Sequence, residues 1–315
     1  MLRIEKYSAE KKEEWNRFAK TCHNPHFFFD RNYMDYHADR FMDHSLMFFS
    51  DETLLAILPG NSDNGRFVSH GGLSFGGLLY GKDATANLVL DFFSELKKYL
   101  LNAGFNKLSY KCIPYIYHSC PAQEDLYALF RQNTQLRRRD LSVAIDLEQD
   151  FLPSERRLRG IKKATKNNLE FKEIDHLTDY WKILSANLQE KYHCNPTHKI
   201  AEIQMLQSKF PNQIRLYGAS LNSQLLAGVL MFQTDRVAHA QYIASTEGGR
   251  EMGALDLTFS ELINFYKNKV RFFSFGISTE DNGTKLNSGL IEFKESFGAR
   301  AVVHDFYDWD LTDGR

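Results

Sequence analysis

A weak internal repeat narrows what this chain can fold into more than any other feature. In the first half, SLMFFSDETLLAILPG (45–60) reads as strand, tight turn and strand, and NLVLDFFSELKKYLLNAGFNKLSYKC (87–112) as a helix followed by a strand. Leu88, Val89, Phe92, Phe93, Leu96, Tyr99 and Leu100 share one helical face, and Gly104 supplies the stop. The second half repeats the order: QIRLYGASLNSQLLAGVLMF (213–232) as strand, turn and strand, then LDLTFSELINFYKNKVRFFSFG (255–276) as helix and strand. The words LLA (54–56 and 225–227) and SEL (94–96 and 260–262) recur at similar but unequal separations. Unequal spacing excludes a fixed-period solenoid and favours duplication of one α/β unit. The division is expected near Asp150, where Pro153 interrupts the pattern, giving units 1–150 and 151–315.

Composition supports packed domains. At 43% apolar residues, with 25 Phe and 15 Tyr, the chain has ample core material and no disorder signature. Its 39 Lys plus Arg against 40 Asp plus Glu give no global field toward nucleic acid or anionic membrane, so any polyanion must be met locally. The opening MLRIEKYSAEKKEEW has no apolar core of a secretory signal, and LLAGVLMF (225–232) is far shorter than the roughly 20 residues that span a bilayer. A soluble, cytoplasmic protein without a membrane span is expected. Cys22, Cys112, Cys120 and Cys194 form no CxxC pair and are expected to be reduced. His193, Cys194 and His198 in YHCNPTH are zinc-type ligands, but Pro196 keeps them off one helical face; no metal is expected, and the loop reads as substrate-facing.

Between the halves, FLPSERRLRGIKKATKNNLEF (151–171) is strongly basic, with Leu158, Ile161 and Thr165 as its expected thin buried side. A further helix over 177–193 buries Leu177, Tyr180, Trp181, Leu184 and Leu188. Near the end, GLIEFKESFGAR (289–300) places Leu290, Phe293 and Phe297 on one helical stripe with Glu292 and Glu295 opposite. Lys294 falls inside the apolar stripe. Either its stem covers apolar surface while the ammonium reaches water, or the ammonium faces a substrate.

RRLRGIKKATKNNLEF (156–171), LNSQLLAGVLMFQTDRVAHAQYIASTEGGREMGALDLTFSEL (221–262) and FFSFGISTEDNGTKLNSGLIEFKESFGAR (272–300) together make the second half resemble the FemABX-like acyl and aminoacyl transferases of the GNAT superfamily. The resemblance covers roughly residues 155–308, with the first half as tandem partner. It implies an α/β (α+β) fold of tandem duplicated GNAT-like domains, each a twisted, mainly antiparallel sheet flanked by helices, with strands that splay apart at the donor site. The family's donor loop holds the pyrophosphate of coenzyme A on backbone N–H groups at a helix N-terminus. Here REMGAL matches it with Arg250, Gly253 and Ala254, but Leu255 stands at its sixth position, and ATANLV in the first half lacks both Arg and Gly. A donor site is therefore expected only in the second unit, with the first as support and acceptor cleft. The family's channel-lining Phe-Lys pair matches Phe293 and Lys294.

The resemblance implies N-acyl transfer from an acyl-CoA, acetyl-CoA included, to an amine of a sugar or cell-envelope precursor. Two alternatives stand beside it. One is amino-acid transfer from aminoacyl-tRNA to a peptidoglycan precursor, weighed down by the neutral charge balance and the lack of a long heptad arm; the other is an inactive binding module for envelope precursors. Acyl transfer needs a proton acceptor and donors aimed at the oxyanion. Candidates are Glu280, Asp281, Tyr242 and His239, with Ser278, Asn287 and His198 as substrate contacts and Arg156, Arg159 and Lys163 for a phosphorylated or nucleotide-linked partner. The sequence leaves the oligomeric state open.

Overall fold

The structure, a computed structural model, describes residues 2–313. Packing divides the chain into two compact units: Met1–Leu141 with Thr279–Lys285 and Val303–Arg315, and Ser142–Ser278 with Leu286–Val302. Neither unit is the continuous stretch that a division at Asp150 implies. The terminal residues 306–310 pair antiparallel with Lys107–Lys111 of the first unit, a long-range pairing that a reading along the chain does not see.

In the first unit, one sheet runs Leu2–Lys6, Leu46–Ser50, Thr53–Leu58, Leu79–Tyr80, all antiparallel. The helix Ala86–Asn102, capped by Thr85, buries Val89, Phe92, Phe93, Leu96 and Leu100 in the core of this unit. In the second unit the sheet order is Glu170–Glu173, Ile214–Leu221, Gln224–Gln233, Val237–Ser245, Phe272–Ile277 and residues 142–146. Its helix Ala254–Tyr266 buries Leu257, Phe259, Leu262, Ile263 and Tyr266. Tyr180, Trp181 and Leu184 of helix Leu177–Tyr192 are buried as the periodicity predicts.

The repeat survives at the level of single hydrogen bonds. Phe48 faces Ala56 and Phe49 faces Leu54, leaving Leu55 as the extra residue of a bulge; Ala219 faces Ala227 and Ser220 faces Leu225, leaving Leu226. The recurring LLA is thus one β-bulge made twice. Both freed carbonyls have the same use: Leu55 O accepts from the Gly81 N–H at 2.9 Å, and Leu226 O from the Thr246 N–H at 2.8 Å. In the second hairpin Asn222 and Ser223 form the two-residue turn, both at positive φ, which right-twisted strands require of so tight a connection.

Two features shape the region between these elements in the second unit. Val237–Ser245 and Phe272–Ile277 run parallel for only three residue pairs, Val237–His239 against Phe272–Ser274, and are unpaired beyond. The basic segment forms the helix Glu155–Lys166, begun by the Ser154 hydroxyl on the Arg157 N–H. Its buried side is not the expected Leu158, Ile161 and Thr165. Leu158 is 37% exposed and Thr165 is also exposed, whereas Arg157 and Ala164 are buried with Gly160 between them. The stripe is rotated because this helix lies close against Ala254–Tyr266. A Cβ on Gly160 would meet the Asp256 carboxylate, and one on Gly253 would sit 2.4 Å from the Gly160 carbonyl oxygen. Close approach selects small residues at the contact, and apolar size elsewhere is left outside.

Candidate functional site

A cavity of about 950 Å³ opens in the second unit. The basic helix contributes Arg156, Arg157 and Lys163, the helix Leu177–Tyr192 Asn187 and Lys191, the end of strand Val237–Ser245 its last three residues, and the glycine-containing turn into helix Ala254–Tyr266 Arg250 and Gly253. Leu188, Ile243, Leu255, Leu290 and Phe293 supply an apolar wall. Cations and apolar surface thus share one concave site, the usual makeup of a pocket that orients a partly charged ligand.

Arg250 holds its place by donating Nη1 to the Ser245 carbonyl at 3.1 Å, while Ser245 N–H donates to Asn187 Oδ1 at 3.0 Å. Asn287 lines the cavity and caps helix Ser288–Glu295, its Oδ1 accepting the Leu290 N–H at 3.0 Å. Asn287→Ala is expected to lower stability by about 1 kcal/mol through the lost cap, read as an earlier urea midpoint, with Asn287→Asp retaining most of it.

The turn that resembles a donor loop also makes a packing contact between helices. Arg250 lies in a short helix, Glu247–Met252, and Gly253 at φ +78° turns the chain directly into the helix Ala254–Tyr266. Gly253 serves the contact with Gly160. In the first turn of that helix sits Asp256, an internal anion where a pyrophosphate would gain most from the dipole. Arg157 Nη1 donates to its Oδ1 at 2.5 Å, and both side chains are largely buried. Burial pushes the Asp256 carboxyl up and pulls the Arg157 guanidinium down. Ala254 is fully buried and is not among the residues that line the cavity.

Lys294 does not carry its ammonium out to water. Its Nζ is enclosed, donating to the carbonyl oxygens of Gly276 at 3.0 Å and Ile277 at 2.6 Å. Gly276, at φ +76°, marks the bulge where strand Phe272–Ile277 has left its parallel neighbour, so these carbonyls need a donor from outside the sheet. Burial pulls the Lys294 pKa down to about 7, although the two carbonyls favour the charged form. Even the neutral amine carries two N–H groups for two acceptors.

The remaining candidates scatter. Phe293 lines the cavity beneath Arg157, whose guanidinium carbon is 5.0 Å from the ring centre. Arg159 is exposed and lies outside the cavity lining. Tyr242 is packed edge-on to Trp181, and its Oη is 2.8 Å from His198 Nδ1 while accepting the His198 N–H at 3.3 Å, so it clasps the loop before helix Ile200–Lys209. Burial raises the Tyr242 pKa. His239 Nδ1 is 3.1 Å from the Ser274 hydroxyl. Ser278 is buried, and its carbonyl accepts the Asn287 N–H. Glu280 and Asp281 belong to the segment that packs with the first unit, where Glu280 pairs with Lys285 at 2.8 Å. Arg157, Gly160, Lys191 and Asp256 join the site without any motif that marks them in the sequence. Among six cations in one segment nothing distinguished Arg157, and the one available signal was an acid in the first turn of the helix after REMGAL.

No family model matches this sequence and no curated protein matches it. Solved structures do. FemX superposes with a TM-score of 0.69 at 9% identity over 97% of both chains. The structure titled L-PGS from Bacillus licheniformis gives 0.63 at 13% identity, over 98% of this chain and 94% of that one. A tandem GNAT protein from the clavulanic acid biosynthesis pathway gives 0.53 at 10% identity over the full length of both. Among the described residues no helix is long and apolar enough to cross a membrane. At such identities the likeness speaks for architecture alone, and the architecture of this chain is the FemABX-like, tandem GNAT fold.

Proposed function

We propose that this chain transfers an aminoacyl group from aminoacyl-tRNA to an amine of a cell-envelope precursor, rather than an acyl group from acyl-CoA. The observation that carries the choice of donor is the acid in the first turn of helix Ala254–Tyr266: Asp256 puts negative charge beside the N-terminus on which a coenzyme A pyrophosphate would depend, and Gly160 lies against Gly253. The neutral charge balance of the whole chain weighs against tRNA, yet Arg156, Lys163, Lys191 and Arg250 gather at one cavity. A polyanion responds to such local charge. The fold neighbours FemX and the C-terminal domain of a protein titled lysylphosphatidylglycerol synthetase from Agrobacterium fabrum support the same direction, the second through the lysyl group in its name.

In the proposed reaction the acceptor nitrogen attacks the ester carbonyl carbon, the amide C–N bond forms and the ester C–O bond breaks. The nucleotide hydroxyl leaves with the proton that the amine loses. The apolar wall at Leu188, Ile243 and Leu255 would exclude water from the ester, and the cations would hold the donor's phosphates.

Calorimetry with coenzyme A and transfer assays with charged tRNA and envelope precursors test this reading. No coenzyme A binding and tRNA-dependent transfer are the expected results. Coenzyme A bound with an affinity that falls on Arg250→Ala would return the acyl-CoA reading. Binding of RNA should weaken steeply with salt, and Arg156→Ala with Lys163→Ala should reduce the log–log salt slope by about 1.4, at roughly 0.7 per lost phosphate contact on a single strand.

A further inference from the structure

Helix Leu177–Tyr192 lines the cavity with Asn187, Leu188, Lys191 and Tyr192. Tyr192 is the last residue of this helix and is 47% exposed. A helical side chain leans toward the N-terminus, so the Tyr192 ring is directed back over the turn that carries Leu188 instead of off the helix end. It meets no other aromatic ring and its hydroxyl has no partner among the described residues, which leaves a flat apolar face open to the cavity. Asn187 is held from behind. Its Oδ1 accepts the Ser245 N–H at 3.0 Å, a bond that only the oxygen of the amide can make, so Nδ2 is fixed as a donor. The side chain is half-buried, and Nδ2 stays accessible with no acceptor among the described residues.

An open aromatic face, an oriented donor and the cations Arg156, Lys163, Lys191 and Arg250 thus meet in one cavity, and the combination selects a ligand class. An ammonium that binds aromatic faces would be repelled by the cations. Inorganic phosphate would leave the ring and the amide unused. A purine or pyrimidine is a flat, uncharged ring with acceptors on its edge, joined through ribose to phosphate, and it uses all three. A volume of about 950 Å³ leaves room for such a group beside a reacting ester.

We propose that Tyr192 and Asn187 form a nucleobase subsite, the Tyr192 ring stacking on an unpaired base and Asn187 Nδ2 donating to an acceptor on the edge of that base. Leu188, one turn before Tyr192, extends the apolar face beneath it. The base belongs either to the single-stranded end of the donor RNA or to a nucleotide-linked acceptor; the chemistry recognised is the same. The subsite deepens the proposed transferase reading and rests on the same cavity, but its test does not depend on turnover.

The test compares ligands that differ only in the base, on the full chain. One pair is a short single-stranded RNA with a 3′-terminal adenosine and the same RNA ending in an abasic ribose; the other is UDP and inorganic pyrophosphate. The parent is expected to prefer the base-bearing member of at least one pair by roughly 5- to 100-fold, the usual worth of one base stacked on an aromatic ring. Tyr192→Ala should abolish that preference, with the melting temperature of the parent because the residue is exposed, while Tyr192→Phe and Tyr192→Trp should keep it. Asn187→Asp retains an acceptor for the Ser245 N–H and removes the Nδ2 donor, so it should reduce the preference as well. Tyr192→Ala should leave the salt dependence of RNA binding as it is, since no phosphate contact is lost. A Tyr192-dependent preference within the RNA pair assigns the base to the donor, and one within the UDP pair assigns it to the acceptor. No preference in either pair, or a preference that survives Tyr192→Ala, overturns the subsite. The two readings fail separately. Tyr192-dependent base binding with no transfer from charged tRNA keeps the subsite and removes that donor, whereas tRNA-dependent transfer with an unchanged base preference in Tyr192→Ala does the reverse.

Discussion

Gly253→Val is expected to destabilise the second unit by about 3 to 5 kcal/mol and to lower the melting temperature by roughly 10 °C or more. Two independent causes add. The residue sits at φ +78°, where a β-branched side chain is strained, and its Cβ would lie 2.4 Å from the Gly160 carbonyl oxygen, a backbone atom that cannot turn away. Gly160→Ala should also be destabilising, because its methyl group would collide with the Asp256 carboxylate. Gly248→Ala is the control: its Cβ meets nothing nearer than the Met252 methyl at 3.8 Å, so this half-buried helical site should be neutral or gain about 0.5 to 1 kcal/mol. A folded Gly253→Val protein that has lost only coenzyme A affinity would contradict this account and favour a donor loop.

Lys294→Met should cost about 2 to 4 kcal/mol, since two buried carbonyls lose a charge-assisted donor and methionine offers them nothing. Denaturant unfolding of parent and variant measures it, and equal midpoints would remove the clamp role from Lys294. The pH dependence has a definite sign. With a folded pKa of about 7 and an ordinary value of 10.5, the unfolded state holds more protons between those limits, so the lysine's contribution grows as pH rises from about 7 toward 10.5. Below about 7 both states are charged and the full cost of burying the ammonium remains. The stability gap between parent and Lys294→Met should therefore widen with pH across that window, and a gap that narrows would show that the carbonyls hold the charged form more strongly than burial opposes it.

The elements of both units were legible because they rest on local terms. Helical periodicity over 86–102 and 177–192, turn residues such as Asn222 and the recurring LLA are properties of neighbouring residues, and duplication shows wherever local words repeat. The cavity was partly legible for the same reason: Arg156, Lys163, Arg250, Gly253, Asn287 and Phe293 all line it. Their uses were not. A motif match assigns Gly253 to a ligand's backbone approach, whereas here the approaching backbone is that of another helix.

What the sequence alone determined is the order of strands and helices, the doubling of one unit and the set of side chains able to meet an anion. Only tertiary structure decided which of them do so. The place of Lys294 on an apolar stripe is a local fact and leaves its partner open, while the two carbonyls it serves exist only where one strand leaves its neighbour and bulges at Gly276. Arg157 was passed over among its basic neighbours because the features that single it out, Asp256 ninety-nine positions away and the rings of Phe293 and Phe297, come together through the packing of helices distant in sequence. Charge is written in the residue type, but its partner, its burial and hence its chemistry are set by long-range contacts that no local pattern encodes.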